Sequence, residues 1–189
     1  MKPFVLLSLI GLLTTCSAPT HRLLDGLWRG VFPVHDTEIP FLFEVSDADG
    51  AFPVVTLING EDRLDLTDVF YRNDSVFIPV RIYDAVMEAK VEGKRLTGAL
   101  VKLYSNRPDG RVPFTATQGK TPRFVATSDK PAVSLDGRWE ITLPARENAK
   151  QVGVFTQKAD GALTGSILTP TGDYRFLEGV VQADRFFLS

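Results

Sequence analysis

Few side chains in this 189-residue chain are equipped for chemistry, and their spacing argues against most reactions. Cys16 is the one cysteine. Dithiol exchange needs an attacking thiolate and a resolving thiol, so these residues hold no such pair. His21 and His35 are the two histidines. They fall on separate segments, His21 ahead of the first strand and His35 in a loop after Pro33, which makes a poor zinc site. A hydrolytic triad would have to use one of them as base, and no Gly-x-Ser-x-Gly accompanies them. Both read as solvated loop residues. Asp47-x-Asp49-Gly50 begins like a calcium loop, but the twelfth position, where a bidentate Glu is required, is Ile58. The segment reads instead as a hairpin turn, for which Asp and Gly supply the backbone chemistry. Glu38 and Glu44 flank an apolar run, but in an extended strand they stand roughly 20 Å apart. Paired glycosidase carboxylates are separated by about 5 to 10 Å. No catalytic residue, cofactor site or metal site is expected.

Cys16 has a different use. An apolar run from Phe4 to Leu13 precedes it, behind the basic Lys2. This is the layout of an export signal, and it is shorter than the roughly 20 apolar residues that span a bilayer as a helix. Leu13-Thr14-Thr15-Cys16 resembles a bacterial lipobox. The reading is a signal peptide over 1–15, lipidation of Cys16 and a tether over 16–23. Each buried methylene of the acyl chains adds about 0.8 kcal/mol of membrane affinity. The membrane is the partner this implies. Ser17, with no acidic cluster after it, resembles a signal for outer-membrane retention, giving a bacterial envelope protein that faces the periplasm.

The rest of the chain must build a core. Net charge is −2, so no electrostatic footprint for nucleic acid is present. Hydrophobic residues make up 44%, an ordinary globular share, and 13 Phe against 2 Met favour a β interior. Ile39, Phe41, Phe43 and Val45 alternate with other residues at period two, and Met87, Ala89 and Val91 alternate with Glu88, Lys90 and Glu92. Asp47 to Gly50, Asn59-Gly60, Asn73-Asp74 and Gly93-Lys94 punctuate the strands, with Asn59-Gly60 the strongest hairpin signal. No convincing helical period appears beyond the signal. The fold expected is all-β, barrel- or sandwich-like.

The sequence also repeats. Leu24-Asp25-Gly26-Leu27-Trp28 returns as Leu135-Asp136-Gly137-Arg138-Trp139, and Ala48-Asp49-Gly50-Ala51 as Ala159-Asp160-Gly161-Ala162. Weaker matches pair Gly60 and Arg63 with Gly172 and Arg175, and Asp74 with Asp184. Two related antiparallel meanders are predicted: β unit 1 over 24–125, a connector over 126–134, and β unit 2 over 135–189, the second incomplete. The unit ends on the apolar run Arg185 to Leu188, and a truncated form of something longer is the expectation. Gly26 and Gly137 mark the start of each unit. Trp28 and Trp139 are each expected in a core, the indole N–H finding one acceptor. A Trp in that place also resembles the barrel plug of lipocalin-like proteins. Arg29, Arg63 and Arg175 are expected to pair across strands with carboxylates.

Leu27 to Phe32, Glu38 to Phe41, Ile58 to Glu61, Phe155 to Gln157, Leu163 to Gly165 and Thr171 to Gly179 together resemble the N-terminal β region of lipid-anchored, TlpA-like thiol–disulfide reductases of Bacteroidetes. In that family a thioredoxin-like domain follows, and its paired cysteines carry the reaction. The resemblance implies an envelope location, a downstream thioredoxin-like domain as partner, and a spacer or substrate-presenting role without catalysis. The alternative expectation is a lipocalin-like module for a small apolar ligand, which requires a cavity of roughly 300 Å³ or more.

Overall fold

The computed structural model describes residues 21–35, 37–103, 110–119, 122–124, 130–142 and 150–189. The 1–15 signal, Cys16, the first part of the tether and the first part of the connector lie outside the described residues. The all-β expectation holds, in two antiparallel sheets.

The first sheet is built from β1 (Gly26–Val34), β2 (Thr37–Ser46), β3 (Val54–Asn59), β4 (Asp62–Leu66), β5 (Phe70–Arg72), β6 (Ser75–Val80), β7 (Ala85–Glu92), β8 (Arg95–Lys102) and β9 (Arg111–Gln118). Its order is β4-β3-β2-β1-β9-β8-β7-β6-β5. The last strand returns to the first, with Trp28 opposite Gln118 and Val31 opposite Thr115. The two edge strands, β4 and β5, are joined by residues 67–69 alone, so the sheet curls until its ends approach each other. Curling turns one face of every strand inward. In β7, Ala85, Met87, Ala89 and Val91 are buried while Lys90 and Glu92 are exposed, the alternation that a half-buried strand requires. Among the described residues, sixteen buried side chains form one continuous core. At about 1.5 to 3 kcal/mol for each large apolar side chain, this burial dominates the stability of the unit. Leu23, in the predicted tether, belongs to that core and is 1% exposed.

The second sheet is the open meander β10 (Gly137–Ile141), β11 (Gln151–Gln157), β12 (Ala162–Thr169), β13 (Gly172–Gln182) and β14 (Arg185–Leu188), in chain order. Three buried side chains, Phe155, Leu163 and Val181, form its own core. Among the described residues β14 pairs with β13 alone, and Phe186 and Phe187 are exposed.

Strand pairing refines the repeat. Arg72 pairs with Ser75 around Asn73-Asp74, and Gln182 with Arg185 around Ala183-Asp184; Asn73 and Ala183 both take positive φ, 56° and 49°. β13 therefore covers in one strand the span that unit 1 divides between β4 and β5. The hairpin after β3 has Asn59 opposite Asp62, so its loop is Gly60-Glu61, one residue later than Asn59-Gly60. Only Gly60 of that loop needs the left-handed region, with φ +61°. In the corresponding hairpin Thr169 faces Gly172, so Gly172 stands where Asp62 stands and not where Gly60 does. Farther along β13, a register shift opposite Gly165 to Ile167 places one extra residue between Tyr174 and Leu177.

Candidate functional site

The interior of unit 1 is packed at one end and open at the other. Trp28 is 0% exposed and forms the floor. Its ring stacks on Phe43 with centroids 5.9 Å apart and planes 12° apart, and its N–H donates to the Leu24 carbonyl at 2.9 Å. Leu23 closes the floor from below, its backbone N–H donating to the Tyr71 hydroxyl at 3.4 Å. Burial raises the pKa of that hydroxyl above its ordinary value. From Trp28 an aromatic ladder climbs one wall: Phe43 to Phe41 at 5.9 Å, then Phe41 to Phe32 at 4.8 Å. Gly30 makes this possible, because a Cβ there would overlap the Phe41 ring.

At the top of the ladder the packing stops. A cleft of about 460 Å³ opens between Phe32, Phe41, Leu57, Leu64, Met87 and Leu100. These are the inward positions of β1, β2, β3, β4, β7 and β8 one or two steps above the floor. Its rim is mixed. Ile82 and Tyr83 project from the single-turn 3₁₀ helix Arg81–Tyr83 and are exposed, as is Phe176 of β13. Phe176 holds φ +59°, a conformation that bulky residues rarely adopt. Asn59, Asp62, Arg63, Arg123 and Arg175 supply the polar part of the rim. Two further clefts, of about 470 and 580 Å³, run between the units. Neither enters the core of unit 1.

Arg123 joins the units beside this mouth. Its side chain is 6% exposed. Its Nε donates to the Pro40 carbonyl at 3.1 Å, Nη1 to Asn59 Oδ1 at 2.5 Å and to Glu178 Oε2 at 2.9 Å, and Nη2 to Ser189 Oγ at 3.1 Å. Glu178 Oε2 also accepts from the Gly60 backbone N–H at 2.9 Å. Burial lowers the pKa of Arg123, and the Glu178 carboxylate opposes that shift. Every hydrogen bond that this guanidinium donates spans 55 to 83 residues of chain, and its one local contact is the neighbouring Phe124 ring, 5.6 Å away.

The residues singled out from sequence fare differently. Gly26 and Gly137 take the same backbone, φ +111° and +107°. Trp28 and Trp139 make the same bond, Trp139 N–H to the Leu135 carbonyl at 2.8 Å. Trp139, however, is 43% exposed, so the expected burial in a second core is corrected: among the described residues no strand wraps over it. Among the described residues, Arg29 alone of the three arginines pairs across strands, with Glu38 at 2.9 Å. Arg175 reaches Asp173 on its own strand at 3.1 Å, and Arg63 donates to the Gly60 and Asp62 carbonyls, because the hairpin loop lies nearer than any facing carboxylate. His21 and His35 are exposed, and the His21 Nδ1 lies 3.2 Å from the Val91 carbonyl oxygen. Asp47 to Gly50 is a turn, closed by the Gly50 N–H on the Asp47 carbonyl at 2.9 Å. Among the described residues no group of three or more His, Cys, Asp or Glu is placed to hold a metal, and no helix is long and apolar enough to cross a membrane.

No protein-family model matches the chain, and neither a curated protein nor a solved structure matches it.

Proposed function

We propose that this chain is a non-catalytic binding module that holds a small apolar ligand in the open end of its first barrel-like unit. One observation carries the reading: the core is filled to the level of Trp28 and Phe43 and then opens into a cleft of about 460 Å³ with apolar walls. That volume lies within the range of small-molecule sites, which combine apolar walls with a few polar groups. The spacer expectation favours a core filled throughout. The Cys16 layout supports a lipid tether in a bacterial envelope, and the resemblance to the β region of TlpA-like reductases supports the same location. In that setting the module would present its ligand, or its surface, to a thioredoxin-like partner.

Titration with the neutral fluorescent probe N-phenyl-1-naphthylamine tests the binding reading. Saturable one-site enhancement is expected, and Leu100→Trp, which fills the cleft, should abolish it while the β circular-dichroism spectrum is retained. Absence of saturable binding, or equal binding by the filled variant, overturns the proposal. The anchor has its own test: Cys16→Ser should release the protein from membranes, and unchanged fractionation contradicts lipidation.

A further inference from the structure

We infer that the ligand of this mouth is a single-chain amphiphile with a carboxylate head, its tail on the phenylalanines and its head on Arg63 and Arg175. The inference rests on the binding reading above and adds the chemical class. Arg63 comes from β4 of unit 1 and Arg175 from β13 of unit 2, and both line the same cleft.

Neither guanidinium is used up by the protein. Arg63 is held through Nη1 alone, at 2.9 Å from the Gly60 carbonyl and 2.8 Å from the Asp62 carbonyl. These are neutral acceptors, and among the described residues no carboxylate lies within ion-pairing distance of Arg63. Its Nε and Nη2 therefore keep their donors. Arg175 makes one contact, Nη2 to Asp173 at 3.1 Å, and its side chain is 66% exposed. Arg123, the third guanidinium of the lining, is committed to Pro40, Asn59, Glu178 and Ser189 and is not available. Against these donors the rim sets the Asp62 carboxylate.

A planar guanidinium edge matches the two oxygens of a carboxylate, and such charge-assisted pairs are roughly twice as strong as neutral ones. The apolar lining is supplied by the inward side chains of Phe32 and Phe41, Leu57 and Leu64, and Met87 and Leu100. A neutral oil would leave the donors of Arg63 without a charged acceptor. A cationic amphiphile would meet like charge.

Displacement of N-phenyl-1-naphthylamine by dodecanoate, dodecanol and dodecylamine at neutral pH and low salt tests the assignment. Dodecanoate is expected to bind about 10-fold more tightly than dodecanol, the worth of one hydrogen-bonded charge pair, with dodecylamine no better than dodecanol. Arg63→Gln should remove most of that preference and leave dodecanol unchanged. Arg63→Lys, which keeps the charge but loses the fork, should retain part of it. Equal binding of dodecanoate and dodecanol, or an unaltered preference in Arg63→Gln, overturns the head-group assignment while the binding reading stands. Failure of all three, together with failure of the naphthylamine probe, overturns both.

Discussion

The two units begin with the same device and end in different environments. In each, a glycine at positive φ opens the first strand, and a tryptophan N–H donates to the carbonyl four residues back. In each, the Asp ahead of the glycine accepts a backbone N–H at the end of the second strand or just beyond it: Asp25 from Ala48 at 2.9 Å, Asp136 from Gln157 at 3.1 Å. Yet Trp28 is 0% exposed and Trp139 is 43% exposed. The motif fixes the local geometry of the indole; burial is set by how many strands curl over it. Nine strands enclose Trp28, whereas five leave Trp139 at the margin of an open sheet.

Substituting the two tryptophans is the most direct way to break this comparison. Trp28→Ala should cost about 3 to 5 kcal/mol, the usual loss for a buried aromatic. Trp139→Ala should cost about 1 kcal/mol, as for a partly exposed side chain. Urea unfolding monitored by circular dichroism gives both values. Equal losses would mean that the second unit is as enclosed as the first.

The contact between the units comes next in size. Glu178→Ala leaves the Arg123 guanidinium buried with neutral acceptors only. Removing one partner of such a pair costs about 3 kcal/mol, much of it the unpaired charge left behind. The Gly60 amide, which donates to Glu178, should then exchange its hydrogen faster, while the Trp28 indole N–H keeps its protection. Loss of protection at both would make the two units one cooperative structure.

A smaller and symmetrical effect is expected at the shared aspartates. Asp25→Ala and Asp136→Ala each remove one charge-assisted hydrogen bond to a backbone N–H, worth about 1.5 to 3 kcal/mol at most. Similar losses would show that the device works alike in both settings. A much larger loss for Asp25 would tie it to closure of the barrel.

The smallest effect is alkaline. The folded protein holds the Tyr71 proton more tightly than the unfolded chain does, because burial disfavours the phenolate. This contribution is intact below the ordinary tyrosine pKa of about 10 and is lost as pH rises through the folded value. Tyr71→Phe should flatten the fall in stability in that range, and the same slope in both proteins would contradict the assignment.

Alternation at Ile39 to Val45 and Met87 to Val91 made the strands legible, and the turn residues at 47–50, 73–74 and 93–94 made the hairpins legible. The repeat also survives, in motif and in strand order. What could not be read were the consequences of long-range closure. The pairing of Trp28 with Gln118 links segments far apart in the chain, and period-two patterns do not name a partner strand. The exposure of Trp139 depends on neighbours beyond its own motif. Arg123 sits among loop residues and acquires its partners only when both units fold. The mouth was legible only as a possibility, since Phe32, Leu57 and Leu100 look like any other core positions.

The proposed ligand-holding mouth opens above a filled floor, and the methyl of Met87 reports on it most directly. Met87 lines the cleft, whereas Ala116, opposite Gly30 on β9, is buried and outside its lining. Methyl-labelled protein titrated with N-phenyl-1-naphthylamine should show the Met87 resonance moving to saturation while Ala116 stays in place. A Met87 resonance that is unmoved at saturating probe would contradict the account.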